Sequence, residues 1–185
     1  MGTRDQLVDS ARELLWERGY VGTSPRAIQQ RAGAGQGSMY HHFAGKKELA
    51  LAAVRRTAEE LLAAADGQLC GPGTAVDRIT AYLRREREVL KGCPIGRLTQ
   101  DPEIVADPVL RAPVDETLTR LRARLAEVLG EGRAAGELPA GLDTTALAAT
   151  IVAVLQGGYV LARAANSPEP FDQAVSGLLA LLTAR

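Results

Sequence analysis

Apolar residues along the chain return every three or four positions, and no stretch sustains the strict alternation of a half-buried strand, so the pattern predicts an all-α protein. A first helix is expected from Thr3, with its hydroxyl as cap and Gln6 reaching back. Leu7, Ala11, Leu14 and Leu15 form its inner face, and Gly19 stops it. Thr23-Ser24-Pro25 places a cap before a proline at the first helical position, and a second helix then runs to Ala32 and ends at Gly33. A very short third helix is expected from Gln36 to about His42. A long fourth one runs from Lys46 to about Asp66, with Leu49, Ala53, Ala58, Leu61 and Leu62 as its apolar positions.

Gly71-Pro72-Gly73 breaks the chain, and Thr74 is expected to cap a helix carrying Val76, Ile79, Tyr82, Leu83 and Leu90. Short helical turns between Pro94 and Asp107 lead to a long helix from about Pro108, its inner positions being Val114, Leu118, Leu121, Leu125 and Val128 and its first turns disturbed by Pro113. The last two helices, about Asp143–Ala165 and Pro170–Ala184, are apolar around most of their circumference and are expected to be covered on more than one side. The stretch Leu142–Leu161 is interrupted by Asp143, Gln156 and two glycines, which favours a buried helix over a membrane span.

Charge changes this picture in one respect. The chain as a whole is neutral, yet residues 1–56 hold nine basic side chains against five acids, a basic head on an acidic remainder that suits a polyanion. Met1–Glu17 is charged at helical intervals and does not resemble a signal peptide, so the cytoplasm is the expected location. The two cysteines, Cys70 and Cys93, lack metal-knuckle spacing, and His41 and His42 are adjacent and would diverge on a helix. No metal, cofactor or catalytic group is therefore expected.

Three helices with a glycine turn, Gly33-Ala34-Gly35, before the third have the outline of a helix-turn-helix between about Thr23 and Phe43. Gly19-Tyr20, Thr23, Ile28, Ala32-Gly33, Gly37-Ser38, Tyr40, His42-Phe43, Lys46 and Leu49 together resemble the DNA-binding motif of the tetracycline-repressor (TetR) family. Two departures stand in the motif: Ala34-Gly35 where Val-Ser is usual, and Gln29-Gln30 in place of alanine and an acid. The segments Gly92–Gly96 and Leu155–Tyr159 look like those of the family's actinobacterial and LmrA-like regulators.

The resemblance implies a DNA-binding domain over 1–46 and a ligand-binding, dimerising domain over 47–185. Within the first, Thr23 and Ser24 at a helix N-terminus are expected at phosphates, and Arg26 and Gln36 at base edges. Gly37, Ser38 and His41 lie beside them near the groove, and Tyr40, Lys46 and Lys47 complete the phosphate contacts. His42, Phe43, Trp16 and Tyr20 read as packing residues. Within the second, a small organic effector is expected among Tyr82, Leu83, Leu118, Leu121, Gln156 and Tyr159. A homodimer is expected through Ala148, Ile151, Val152, Leu155, Val175, Leu178, Leu179 and Leu182. The expected partners are thus double-stranded operator DNA, an effector and a second copy, without a membrane. Two other readings stay open: a DNA-bound redox sensor triggered by Cys93, and an enzyme on a helical scaffold, for which no nucleophile-base-orienter set is present.

Overall fold

The computed structural model describes residues 2–183, and every regular element among them is helical. In chain order these are α1 (Thr3–Arg18), α2 (Pro25–Ala32), α3 (Gln36–His42), α4 (Lys46–Leu69), α5 (Ala75–Arg84), a 3₁₀ turn (Gly96–Gln100), α6 (Pro102–Ala106), α7 (Pro108–Ala134), α8 (Thr144–Ala165) and α9 (Glu169–Thr183). The expected end of the last helix at Ala184 lies outside the described residues.

The chain forms two compact units, a head made of residues up to Glu60 together with Pro94–Thr117, and a body made of Leu61–Cys93 and Leu118 onward. The head is thus larger than a cut after residue 46 would make it. Leu49, Ala50, Ala53 and Val54 on α4 are buried and complete the core begun by the first three helices.

In the head, α1 begins one residue earlier than a Thr3 cap would require. Gly2 occupies the cap position without a side-chain bond, and its carbonyl takes the Gln6 N–H at 3.1 Å, so the Thr3–Gln6 capping box does not form. Gly19, at φ +73°, ends the helix. α2 follows its sequence signals: the Ser24 hydroxyl accepts the Ala27 N–H at 3.1 Å, Pro25 fills the first turn, and Gly33 closes it in the left-handed region at φ +61°. Leu7, Leu14, Ile28, Met39 and Leu49 are fully buried together with nearly sealed Phe43. Tyr20 belongs to this core, while Trp16 and His42 are only half-buried. Arg56 on α4 ties that helix to α1 by bonding Asp5 at 2.8 Å and Asp9 at 3.1 Å.

In the body, Thr74 and Asp77 cap α5 reciprocally, each side chain accepting the other residue's backbone N–H. The helix stops at Arg84, so Leu90 lies beyond it and is 45% exposed instead of facing the core. The cause is Arg87, whose guanidinium folds back and donates to the carbonyls of Tyr82, Leu83 and Arg85, taking the bonds that a further turn would have supplied. Ile79, Tyr82 and Leu83 meet Leu125, Val128 and Leu129 of α7 and the inner faces of α8 and α9 in one core. Cys93 is buried, the placement of a small apolar residue.

Among the described residues α8 alone has the length and hydropathy to cross a membrane, and its Ala148, Ile151, Val152, Leu155 and Ala162 instead fill the body's core. Close packing there is enforced at Gly158, where a Cβ would sit 2.9 Å from the Phe171 ring. Ile151, fully buried in this core, should cost about 2–5 kcal/mol when truncated in Ile151→Ala, read as a lower urea midpoint.

Candidate nucleic-acid interface

The approach to α2 is a tight turn from Gly19 to Thr23. At Gly22 a Cβ would lie 2.4 Å from the Arg18 carbonyl oxygen, so only glycine fits. Thr23 is 1% exposed, its hydroxyl donating to the Gly19 carbonyl at 2.6 Å and its N–H to Tyr20 at 3.1 Å. This corrects the expectation that Thr23 meets a phosphate: the side chain is spent inside the turn, and Ser24 alone is the exposed cap.

From the other side the turn is held by Asp101. One carboxylate oxygen accepts the Val21 N–H at 2.9 Å while the other accepts the Glu103 and Ile104 N–H groups at 3.1 and 3.3 Å, capping α6. Arg97 donates to the Trp16 and Glu17 carbonyls at the end of α1. The residues after Pro94 therefore set the orientation of the turn that launches α2.

On α3, Met39 is sealed while Gln36, Gly37, Tyr40 and His41 are exposed and Ser38 is half-buried. The His41 and His42 rings meet edge to face with centroids 4.9 Å apart. Arg26 on α2 is exposed as well. A Cβ at Gly35 or Gly37 would meet nothing within 4 Å. No internal contact requires glycine inside α3 at position 37, where it costs the helix about 0.5–1 kcal/mol relative to alanine. A surface left bare at such a cost suits the close approach of another backbone.

The basic excess of the head sorts into two groups. Arg12 is engaged by Asp9 and Glu60, Arg31 by Glu13 and Glu17, Arg56 by Asp5 and Asp9, and Lys47 by Asp107. Among the described residues Arg18, Arg26 and Arg55 enter no salt bridge, and Lys46 sits 3.9 Å above the Tyr20 ring. Lys47 holds the Asp107 carboxyl below the usual carboxylate range, whereas burial raises the Tyr20 hydroxyl above its own. Lys47 is thus already paired, and contact with DNA would have to compete with Asp107.

The two sets expected in the body fare differently. Ala148, Ile151, Val152, Leu155, Val175, Leu178 and Leu179 are buried in their own chain and Leu182 is packed against them, so they are core and not available to a second copy. The faces of α8 and α9 that remain open carry Val160, Leu161 and Leu181, which are 55%, 54% and 79% exposed. Tyr82, Leu83 and Leu121 are likewise core, with Leu118 and Tyr159 packed against it. Gln156 is half-buried on α8. Tyr159 stacks against Phe171 with centroids 4.8 Å apart, and burial pushes its hydroxyl up to about 12. A cleft of about 470 Å³ opens beside these residues between the end of α5 with its following segment and the start of α9, and of the six expected residues it takes in only Leu83.

Comparison with known proteins finds two family matches along the chain. Residues 7–53 match the family described as "Bacterial regulatory proteins, tetR family", and residues 74–178 match "Tetracyclin repressor-like, C-terminal domain". An uncharacterized HTH-type transcriptional regulator, YxaF of Bacillus subtilis, is 29% identical over 166 residues, covering 86% of this chain and 84% of its own. The regulator LmrA of the same organism is 27% identical over 117 residues, 60% of this chain and 62% of its own. The crystal structure of a TetR transcriptional regulator from Chloroflexus aurantiacus superposes with a TM-score of 0.87 at 30% identity, covering 99% of this chain and 95% of that one.

Two outcomes follow from the geometry. Asp101→Ala leaves the Val21 N–H and the start of α6 without their acceptor, and the head should lose about 1–3 kcal/mol of stability in denaturant titration. Gly37→Ala should stabilise the head by roughly 0.5–1 kcal/mol and at the same time weaken duplex binding in a gel-shift titration. Unchanged DNA affinity in Gly37→Ala would remove α3 from the contact surface.

Proposed function

Because the chain belongs to the tetracycline-repressor family of bacterial regulatory proteins, whose members regulate transcription and are not enzymes, we propose that it represses its targets as a dimer on a two-fold symmetric operator and leaves that operator when a small organic ligand occupies the body. Regulators of this family bind operator DNA as dimers and take small-molecule ligands in the C-terminal domain. The observation that carries the reading is the two-sided α3, with Met39 locked inside and Gln36, Gly37, Tyr40 and His41 outside.

In this reading Arg26 and Gln36 read base edges, the guanidinium with paired donors and the amide with a donor and an acceptor. Ser24, Ser38, Tyr40, His41 and Lys46 meet phosphates and sugars, with Gly37 admitting the DNA backbone closely. Lys47 joins them only on release from Asp107. The cytoplasm, where the genome lies, is where such a protein acts.

The dimer is assigned to the outer faces of α8 and α9. Ala153, Gly157, Val160, Leu161 and Ala164 fall at intervals of three, four and seven along α8, opposite the face that fills the core, and Gly177, Ala180 and Leu181 continue the apolar surface on α9. A helix apolar all round has two sides to cover, and two-fold pairing of α8 and α9 with their symmetry mates covers the second. Ligand then acts by favouring one of two head arrangements, which lowers operator affinity to the extent that the ligand prefers the other.

Selection of bound duplexes from a random pool tests the reading, and a palindromic consensus is the expected result. Binding to that consensus should weaken steeply with salt. Gln36→Ala should change base preference, while Lys46→Ala should weaken all sequences alike. Leu181→Arg should give a monomeric mass in sedimentation at micromolar concentration together with lost operator binding; a dimer retained in that variant would place the interface elsewhere.

A further inference from the structure

Three arginines cluster at the end of α5 and just beyond it. Arg84, Arg85 and Arg87 all line the cleft, and among the described residues none of the three makes a salt bridge. Arg87 lies 5.2 Å from the Tyr82 ring centroid and 5.9 Å from that of Phe171, and its outer nitrogens are consumed by the three carbonyls that end α5. Burial pulls its pKa below the ordinary guanidinium value, and the neighbouring charge of Arg85 acts in the same direction. Arg85 itself stands 5.5 Å over Tyr82, and its Nε is buried without a hydrogen-bond partner. An unpartnered buried donor is uncommon, and here it marks a guanidinium that its own chain does not fully engage.

The rest of the lining limits what the anion can be. Leu83, Val89, Phe171 and Val175 form apolar wall, while Glu86 and Asp172 add two carboxylates. Three arginines against two acids leave one net positive charge, which matches a single negative charge and disfavours a dianion. With Arg87 committed to the helix end, Arg84 and Arg85 are the guanidiniums left for a ligand, and the fork of donors on a guanidinium fits a carboxylate in bidentate fashion.

We propose that this cleft binds a small organic monocarboxylate, its carboxylate held by Arg84 and Arg85 and its apolar body laid along Val89, Phe171 and Val175. The occupied segment continues through Cys93 to Pro94, where the chain enters the head and leads to Arg97 and Asp101. A ligand that tightens residues 84–89 therefore acts on the stretch of chain that holds the turn before α2. The assignment of this cleft as the effector site rests on the ligand-released repressor reading above, whereas the binding itself does not.

Calorimetric titration of the full chain in the absence of DNA, with octanoate, octanamide and octyl phosphate as probes of equal chain length, separates the possibilities. Octanoate should bind at one per chain, with the neutral amide and the dianion each about tenfold weaker or more, as the loss of a charge-assisted pair or a charge mismatch requires. Arg84→Gln and Arg85→Gln should each weaken octanoate by about tenfold or more. Arg120→Gln, an exposed arginine outside the cleft, should leave it unchanged. Circular dichroism melting establishes that each variant is folded, and either arginine variant suffices if the other is not. No octanoate binding, octanamide or octyl phosphate binding as tightly, or octanoate binding undiminished in the folded arginine variants would overturn the proposal. If octanoate binds through these arginines yet leaves the selected operator complex intact, the carboxylate site stands and its role as effector site falls.

Discussion

The head's geometry depends on one buried carboxylate with two obligations. Asp101 holds the N–H of Val21 with one oxygen and two N–H groups at the start of α6 with the other, and it is shielded from solvent while doing so. Each of those donors would otherwise face a desolvated site with no acceptor. Gly19 and Gly22 are the steric counterpart. A Cβ at Gly19 would fall 2.8 Å from the Asp101 carboxylate, so the turn can approach its anchor only because side chains are absent. With Arg97 on the end of α1, this makes the segment from Pro94 to Ala106 part of the head in space although far from it in sequence.

Local signals were legible where the chemistry is local. Ser24 with Pro25 and Thr74 act as caps because each needs only the next turn of backbone, and Gly33 ends α2 because its positive φ suits no other residue as well. The same logic failed at Thr3, where Gly2 supplies the first carbonyl and the helix begins one position early. Met39 had no signal in the glycine-rich run around it, yet it anchors α3.

The faces of α8 and α9 were misread for a different reason. Periodicity groups Ala148, Ile151, Val152 and Leu155 on one side, but when Ala153, Gly157, Val160 and Ala164 opposite them are also apolar, no contrast in polarity says which side turns inward. Packing within the body decides it: Ala148, Ile151, Val152, Leu155 and Ala162 join the core, while Ala153, Gly157, Val160 and Ala164 stay exposed. Arg87 is a local case that escaped notice, since nothing in a charged run announces that one guanidinium will fold back two to five residues and end the preceding helix. Counting charges had a similar limit. A net excess of four in the first 56 residues is correct as arithmetic, but the structure commits Arg12, Arg31, Arg56 and Lys47 to acids of the head itself.

The composition of α3 carries a consequence for how such a head searches a genome. Seven residues, one of them an interior glycine, are too few to be helical alone, so the element owes its order to Met39 and the following Phe43. Its amide protons should therefore exchange through local opening, at a small fraction of the free energy that unfolds the whole head. If α3 is the element that meets DNA, as proposed, it would be free to loosen over non-cognate sequence and to order fully only where a groove fits it. Part of the discrimination between sites would then reside in the heat capacity and entropy of that ordering, in addition to the hydrogen bonds finally made.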